Sequence, residues 1–146
     1  MTSASRTTST CPRRDPRRSC RYRSADAAAD LDDQYHARAQ EQLQSLADQG
    51  LSVVLAYPIL LETYTLIRYR LGSVSASAWL EDVRDGSAWI NPSPQDYRDA
   101  TAVVGRFPDQ SITLFDATLA IVASRLSLPV WTYDHHFDTM GTAVWR

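Results

Sequence analysis

The chain has 146 residues, 44% hydrophobic and 22% charged, which describes one ordinary globular domain long enough to bury a core. No run of about 18 apolar residues occurs, which excludes a membrane-spanning helix. No apolar stretch follows the basic N-terminus, which excludes a secretory signal.

The net charge of −2 hides an asymmetry. Residues 1–23 carry seven arginines against one acid, Asp15, for a net +6; the remainder carries eight arginines against sixteen acids, for a net −8. All 15 basic residues are arginine, which we read as codon bias. An acidic body is a poor generic binder of nucleic acid, because affinity for phosphates comes mainly from cations; a bound divalent metal offsets this locally. Cys11 and Cys20 lie in the Arg-rich segment, without a C-x-x-C spacing or a nearby histidine, and read as two thiols rather than a disulfide or zinc site.

Residues 1–24, rich in Ser, Thr, Arg and Pro, hold almost no large apolar side chain and read as a disordered N-terminal segment; residues 25–146 form the domain. A helix follows, with Asp32 or Asp33 as cap, Tyr35, Ala39, Leu43 and Leu46 on one stripe, and Gly50 as its stop. His36, in its first turn, reads as a packed or surface side chain. Leu51–Ala56 is a β-branched strand. Pro58 opens a helix through Leu71, with Leu60, Tyr64, Ile67 and Leu71 as the core stripe and Gly72 as its end. Ser73–Asp85 is a further helix, Ser87–Asn91 a strand, and Pro92–Gly105 another helix. Asp109–Ile112 is a loop into the helix Thr113–Leu126. Leu128–Thr132 and Ala143–Trp145 are short strands. Strands alternating with helices predict an α/β fold with a parallel sheet.

Three carboxylates stand out. Asp116 opens a helix apolar on nearly all sides, hence a buried one, and has no cation three or four residues away. Its plain role is the acid of a T-x-x-D capping box with Thr113. Glu62 lies in the early turns of another apolar helix, also without a local cation, where the helix dipole favours an acid. Asp134 follows a strand, where ligands gather in open α/β sheets, and it can equally cap a helix over residues 135–138. Each acid has a structural explanation. Together, at the ends of elements that converge in an α/β layer, they repel one another unless a cation sits between them. Oxygen ligands of this kind suit Mg²⁺ or Mn²⁺, and such an ion supports phosphodiester hydrolysis.

The segments Pro58-Ile-Leu-Leu-Glu62-Thr, Leu114-Phe-Asp116-Ala-Thr-Leu-Ala and Thr132-Tyr-Asp134-His-His-Phe137 resemble three acidic motifs of PIN-domain ribonucleases, most closely the VapC-like toxins of toxin–antitoxin pairs. Asp32–Arg38 is similar to the first helix of that family. The resemblance covers residues 30–146 and rests on the order and separation of the motifs more than on any one of them. It implies a PIN-like three-layer fold, with a short central parallel sheet flanked by helices. It also implies a metal-dependent endoribonuclease that hydrolyses RNA, with Glu62, Asp116 and Asp134 as catalytic and metal-binding acids and Mg²⁺ or Mn²⁺ as cofactor. Thr132 resembles the hydroxyl before the last acid, and Asp138 an outer helper. RNA, a cognate antitoxin and a second copy of the chain are the implied partners, and the cytoplasm the implied location.

The match breaks at the N-terminus. The family opens with an apolar strand ending in an acid, which falls near Arg21 here, while Asp15 and Asp26 follow no strand-like run. The first strand is therefore missing or altered. Out-of-frame translation of a GC-rich gene yields runs of this kind, a hypothesis that resequencing the genomic DNA decides: it fails if no other frame encodes an apolar strand ending in Asp. Loss of that acid predicts weak metal binding and poor activity, leaving as the alternative a catalytically impaired remnant that only binds protein.

Overall fold

The computed structural model describes Ser19–Arg21 and residues 34–146. In chain order the elements are β1 (Ser19–Arg21), α1 (His36–Asp48), β2 (Val53–Ala56), α2 (Tyr57–Arg70), α3 (Gly72–Gly86), β3 (Ser87–Ile90), α4 (Pro94–Arg106), α5 (Leu114–Leu126), β4 (Val130–Trp131), α6 (His136–Thr139) and β5 (Val144–Trp145). All strand pairs are parallel, in the order β3-β2-β1-β4-β5.

The middle strand is the one the sequence reading left out. Cys20 pairs with Val54 on one side and Val130 on the other, and Arg21 pairs with Trp131. Only three residues of unpromising composition are needed, because β2 and β4 are apolar strands whose inner edges both require a ladder partner. Ser19–Arg21 thus fill the middle of the sheet. The expectation of disorder over residues 1–24 otherwise lies outside the described residues.

The side chains of β2 and β4 divide between two cores, in β4 by the alternation of adjacent residues along a strand. Leu55 and Val130 join Ile59 and Leu60 of α2, Val83 of α3, Leu119, Ala120 and Ala123 of α5 and Phe137 of α6. Val53 and Trp131 face the other way, onto Ala39 and Leu46 of α1. Helix, sheet and helices therefore form three layers, and α4 packs on the outside of α5 through Ala100, Val103 and Ala117. Gln42 ties α1 to the sheet: its Oε1 accepts from Trp131 Nε1 at 2.7 Å and from the Tyr133 hydroxyl at 2.6 Å.

Element ends follow local chemistry. Gly50 takes a positive φ of 65°, and the Leu51 amide reaches back to the Leu46 carbonyl, closing α1 as a Schellman turn. α2 springs directly from β2, with Pro58 in its first turn. Its core face differs from the expected stripe: Ile59, Leu60, Thr63 and Ile67 are buried, while Leu71 is 40% exposed. The helix is turned by about one position, which leaves the half-buried Tyr64 at the rim, where a phenol can keep its hydroxyl near water. Among the described residues no helix is long and apolar enough to cross a membrane.

Candidate active site

The sheet order shows where a ligand would gather. From β1 the chain adds β2 and β3 on one side, then crosses to add β4 and β5 on the other. The reversal lies beside β1, and in open parallel sheets ligands bind outside the carboxyl ends of the strands at such a switch point. α2 leaves the carboxyl end of β2, and Glu62 is an exposed residue in its second turn. α5 leads into the amino end of β4, so it runs against the strands and opens at their carboxyl edge, bringing Asp116 there. Asp134 comes three residues after Trp131, the last residue of β4. The three predicted acids thus sit on elements that share one edge of the sheet, around the end of β1.

Asp116 carries both of its readings at once. Thr113 is the N-cap of α5, and the capping box is complete. The Thr113 amide and hydroxyl donate to Asp116 Oδ2 at 2.9 and 2.7 Å, and the Asp116 amide donates to Thr113 Oγ1 at 3.2 Å. Oδ1, however, is buried without a hydrogen-bond partner. The residue is 3% exposed and followed along α5 by buried Ala117, Leu119, Ala120, Val122 and Ala123. An orphaned buried acceptor costs about 1–3 kcal/mol, more when charged, so Oδ1 is the one strained atom of this capping box.

Asp134 is also buried, with a side chain 6% exposed. Thr132 Oγ1 accepts from the Asp134 amide at 3.0 Å, which fixes the turn that follows β4. Asp134 Oδ1 accepts from the His136 amide at 3.0 Å. The N-cap of α6 is His135, so Asp134 acts from one position further out than the expected cap. The His136 ring is close as well: Nδ1 lies 2.9 Å from Asp134 Oδ1, yet it is out of line for a hydrogen bond and has no other partner.

Among the described residues, Asp134, His135 and His136 bring their ligand atoms within 4.8 Å of one another. Glu62 and Asp116 stand outside that set. The two histidines adjoin the third acid in sequence, and the D-x-H pattern after a strand was the signal available for them. Asp138, expected as an outer helper, is engaged by Arg146, whose Nη2 lies 2.7 and 2.8 Å from its two oxygens. Beside Asp134, the Tyr133 ring stacks on Tyr35 at 4.6 Å, and the exposed Arg38 lies over it at 5.2 Å. Arg68, Arg70 and Arg106 are exposed.

A third buried acid is a structural one. Asp96 opens α4 with its own capping box, and Arg125 of α5 donates to both its oxygens at 2.9 Å. The Arg125 hydrogen bonds outweigh burial and hold the Asp96 carboxyl below its ordinary range.

No family model and no curated protein matches the sequence. Solved structures match it well. The sarcin-ricin loop cleaving toxin VapC20 of Mycobacterium tuberculosis superposes with a TM-score of 0.76 at 20% identity, over 88% of this chain and 98% of that one. VapBC2 of Rickettsia felis, solved bound to a DNA fragment from its promoter, gives 0.70 at 11% identity over 88% and 97%. FitAcB of Neisseria gonorrhoeae gives 0.60 at 18% identity over 87% and 96%. At these identities the likeness is one of fold, and the fold is that of the PIN-domain toxins.

Proposed function

We propose that this chain is a metal-dependent endoribonuclease, the toxin of a toxin–antitoxin pair. The observation that carries the reading is the orphaned Oδ1 of Asp116, a buried carboxylate oxygen at the ligand-binding edge of a fold shared with an RNA-cleaving toxin. The donor set fits a hard divalent cation, since Glu62, Asp116 and Asp134 all offer carboxylate oxygen. These three would hold Mg²⁺ or Mn²⁺, and the bound ion would supply Lewis-acid chemistry for phosphodiester hydrolysis.

The chain's own groups supply the rest. The Thr113 cap holds Asp116 by one oxygen and leaves the other directed away from the cap. Thr132 holds the Asp134 turn. Arg38 is an exposed cation over the Tyr133 ring and offers a contact for an RNA phosphate in an otherwise acidic body. Partners of the same reading are a cognate antitoxin and a second copy of the chain, and its setting is the cytoplasm. The test is RNA cleavage and growth inhibition by the wild type and Asp116→Asn: loss of both in a folded variant supports the reading, and an unchanged effect overturns it.

One observation favours a second reading, a protein-binding module with impaired catalysis. The carboxyl end of β1, where PIN ribonucleases carry their first acid, is Arg21. On that reading the wild type neither cleaves RNA nor slows growth, while it still binds an antitoxin.

A further inference from the structure

We propose that His136 is a nitrogen ligand of the metal held by Asp134, and that it biases the site toward octahedral transition ions such as Mn²⁺ over Mg²⁺. This rests on the metal-site reading above. Nδ1 of His136 and Oδ1 of Asp134 lie 2.9 Å apart, and no hydrogen bond joins them. A proton on Nδ1 is therefore not shared along that line. With Nδ1 unprotonated, two lone-pair atoms would face each other at this separation, a repulsion that a cation beside both would relieve.

Their spacing also selects a geometry. Two donors 2.9 Å apart, each about 2.1 Å from a shared ion, subtend roughly 90° at it, the angle between neighbouring octahedral positions; a tetrahedral ion needs them roughly 3.4 Å apart.

The local fold holds the pair ready. The His136 amide donates to the same Asp134 Oδ1 at 3.0 Å, so ring and carboxylate are tied through one turn. The His136 side chain is 16% exposed and its neighbour Phe137 is fully buried, which anchors the turn. His135 does not share the role: its Nδ1 is 3.8 Å from Asp134 Oδ1 and its side chain is 78% exposed. Imidazole suits borderline transition ions, whereas Mg²⁺ prefers oxygen and keeps its waters.

The test is electron-nuclear spectroscopy of Mn²⁺ on the full chain, unlabelled and with ¹⁵N-histidine, beside titration of Mn²⁺ and Mg²⁺ into the wild type and His136→Gln. Expected are a nitrogen coupling that changes with the isotope, and a loss of Mn²⁺ affinity in His136→Gln of about tenfold with little change for Mg²⁺. Should the variant fail to fold, the isotope-sensitive coupling in the wild type decides alone. Mn²⁺ that binds, requires Asp116 and shows no nitrogen coupling overturns the His136 ligand and spares the proposed function. A wild type that binds no Mn²⁺ overturns both.

Discussion

Asp96 and Asp116 open two packed helices with the same capping box, and both are 3% exposed. Asp96 meets Arg125, which satisfies both its oxygens; Asp116 meets no cation among the described residues, and its Oδ1 is left over. Local sequence and burial are alike, so the difference lies in what tertiary packing brings opposite. Where the fold supplies its own cation, the acid is architecture. Where it withholds one, the acid is kept at a cost to stability, as binding sites commonly are.

The largest expected contrast comes from removing each acid in turn. If the proposed function holds, Asp116→Ala should abolish RNA cleavage, measured on the folded variant. Asp96→Ala leaves cleavage per folded molecule unchanged and lowers stability by about 2 kcal/mol, from a lost cap and a half-exposed ion pair. Denaturant titration beside a cleavage assay reads both, and equal behaviour of the two variants breaks the comparison.

Acid provides the next contrast. The Asp96 carboxyl is held below its ordinary 3.8 by Arg125, so the unfolded chain takes up that proton first. Its stabilising effect is whole above the ordinary value and fades as pH falls from there toward the lowered one. Melting temperature should therefore drop less steeply between about pH 5 and about pH 3 in Asp96→Asn than in the wild type.

Asp116→Asn keeps an oxygen for the Thr113 cap and removes the uncompensated charge. Without metal it should be more stable than the wild type by about 1 kcal/mol, or roughly 3 °C in melting temperature. The corresponding change at Asp96 should destabilise.

The smallest effect lies at the far end of α5. Ser127 closes it with φ 54°, a left-handed conformation that glycine adopts more easily, and Leu128 bonds back to Ala123 there. Ser127→Gly should add about 0.5–1 kcal/mol by denaturant midpoint without altering cleavage.

Most of the layer pattern was legible, because helix stripes and β-branched runs are local signals. The T-x-x-D box at Thr113 and the Gly50 stop were read where they stand. β1 was not, since Ser-Cys-Arg has no strand signature and takes its place from the edges of β2 and β4. The Asp96–Arg125 pair was missed for a related reason. Its capping half is written in Ser93 and Asp96, but its cation comes from 29 residues away. Glu62, Asp116 and Asp134 were singled out in the sequence for their place at element ends, and α2, α5 and β4 do bring them toward the carboxyl edge of the sheet. The sequence did not reveal that one Asp116 oxygen caps while the other is orphaned, which depends on rotamer and packing.

The central claim is that the Asp116 orphan is a cation's place. Thermal melting of the wild type and Asp116→Ala, each with and without Mn²⁺, tests it most directly, since an ion that binds only the folded state raises the melting temperature. The account predicts a rise in the wild type that is lost in Asp116→Ala. No rise in either, or an equal rise in both, would contradict it.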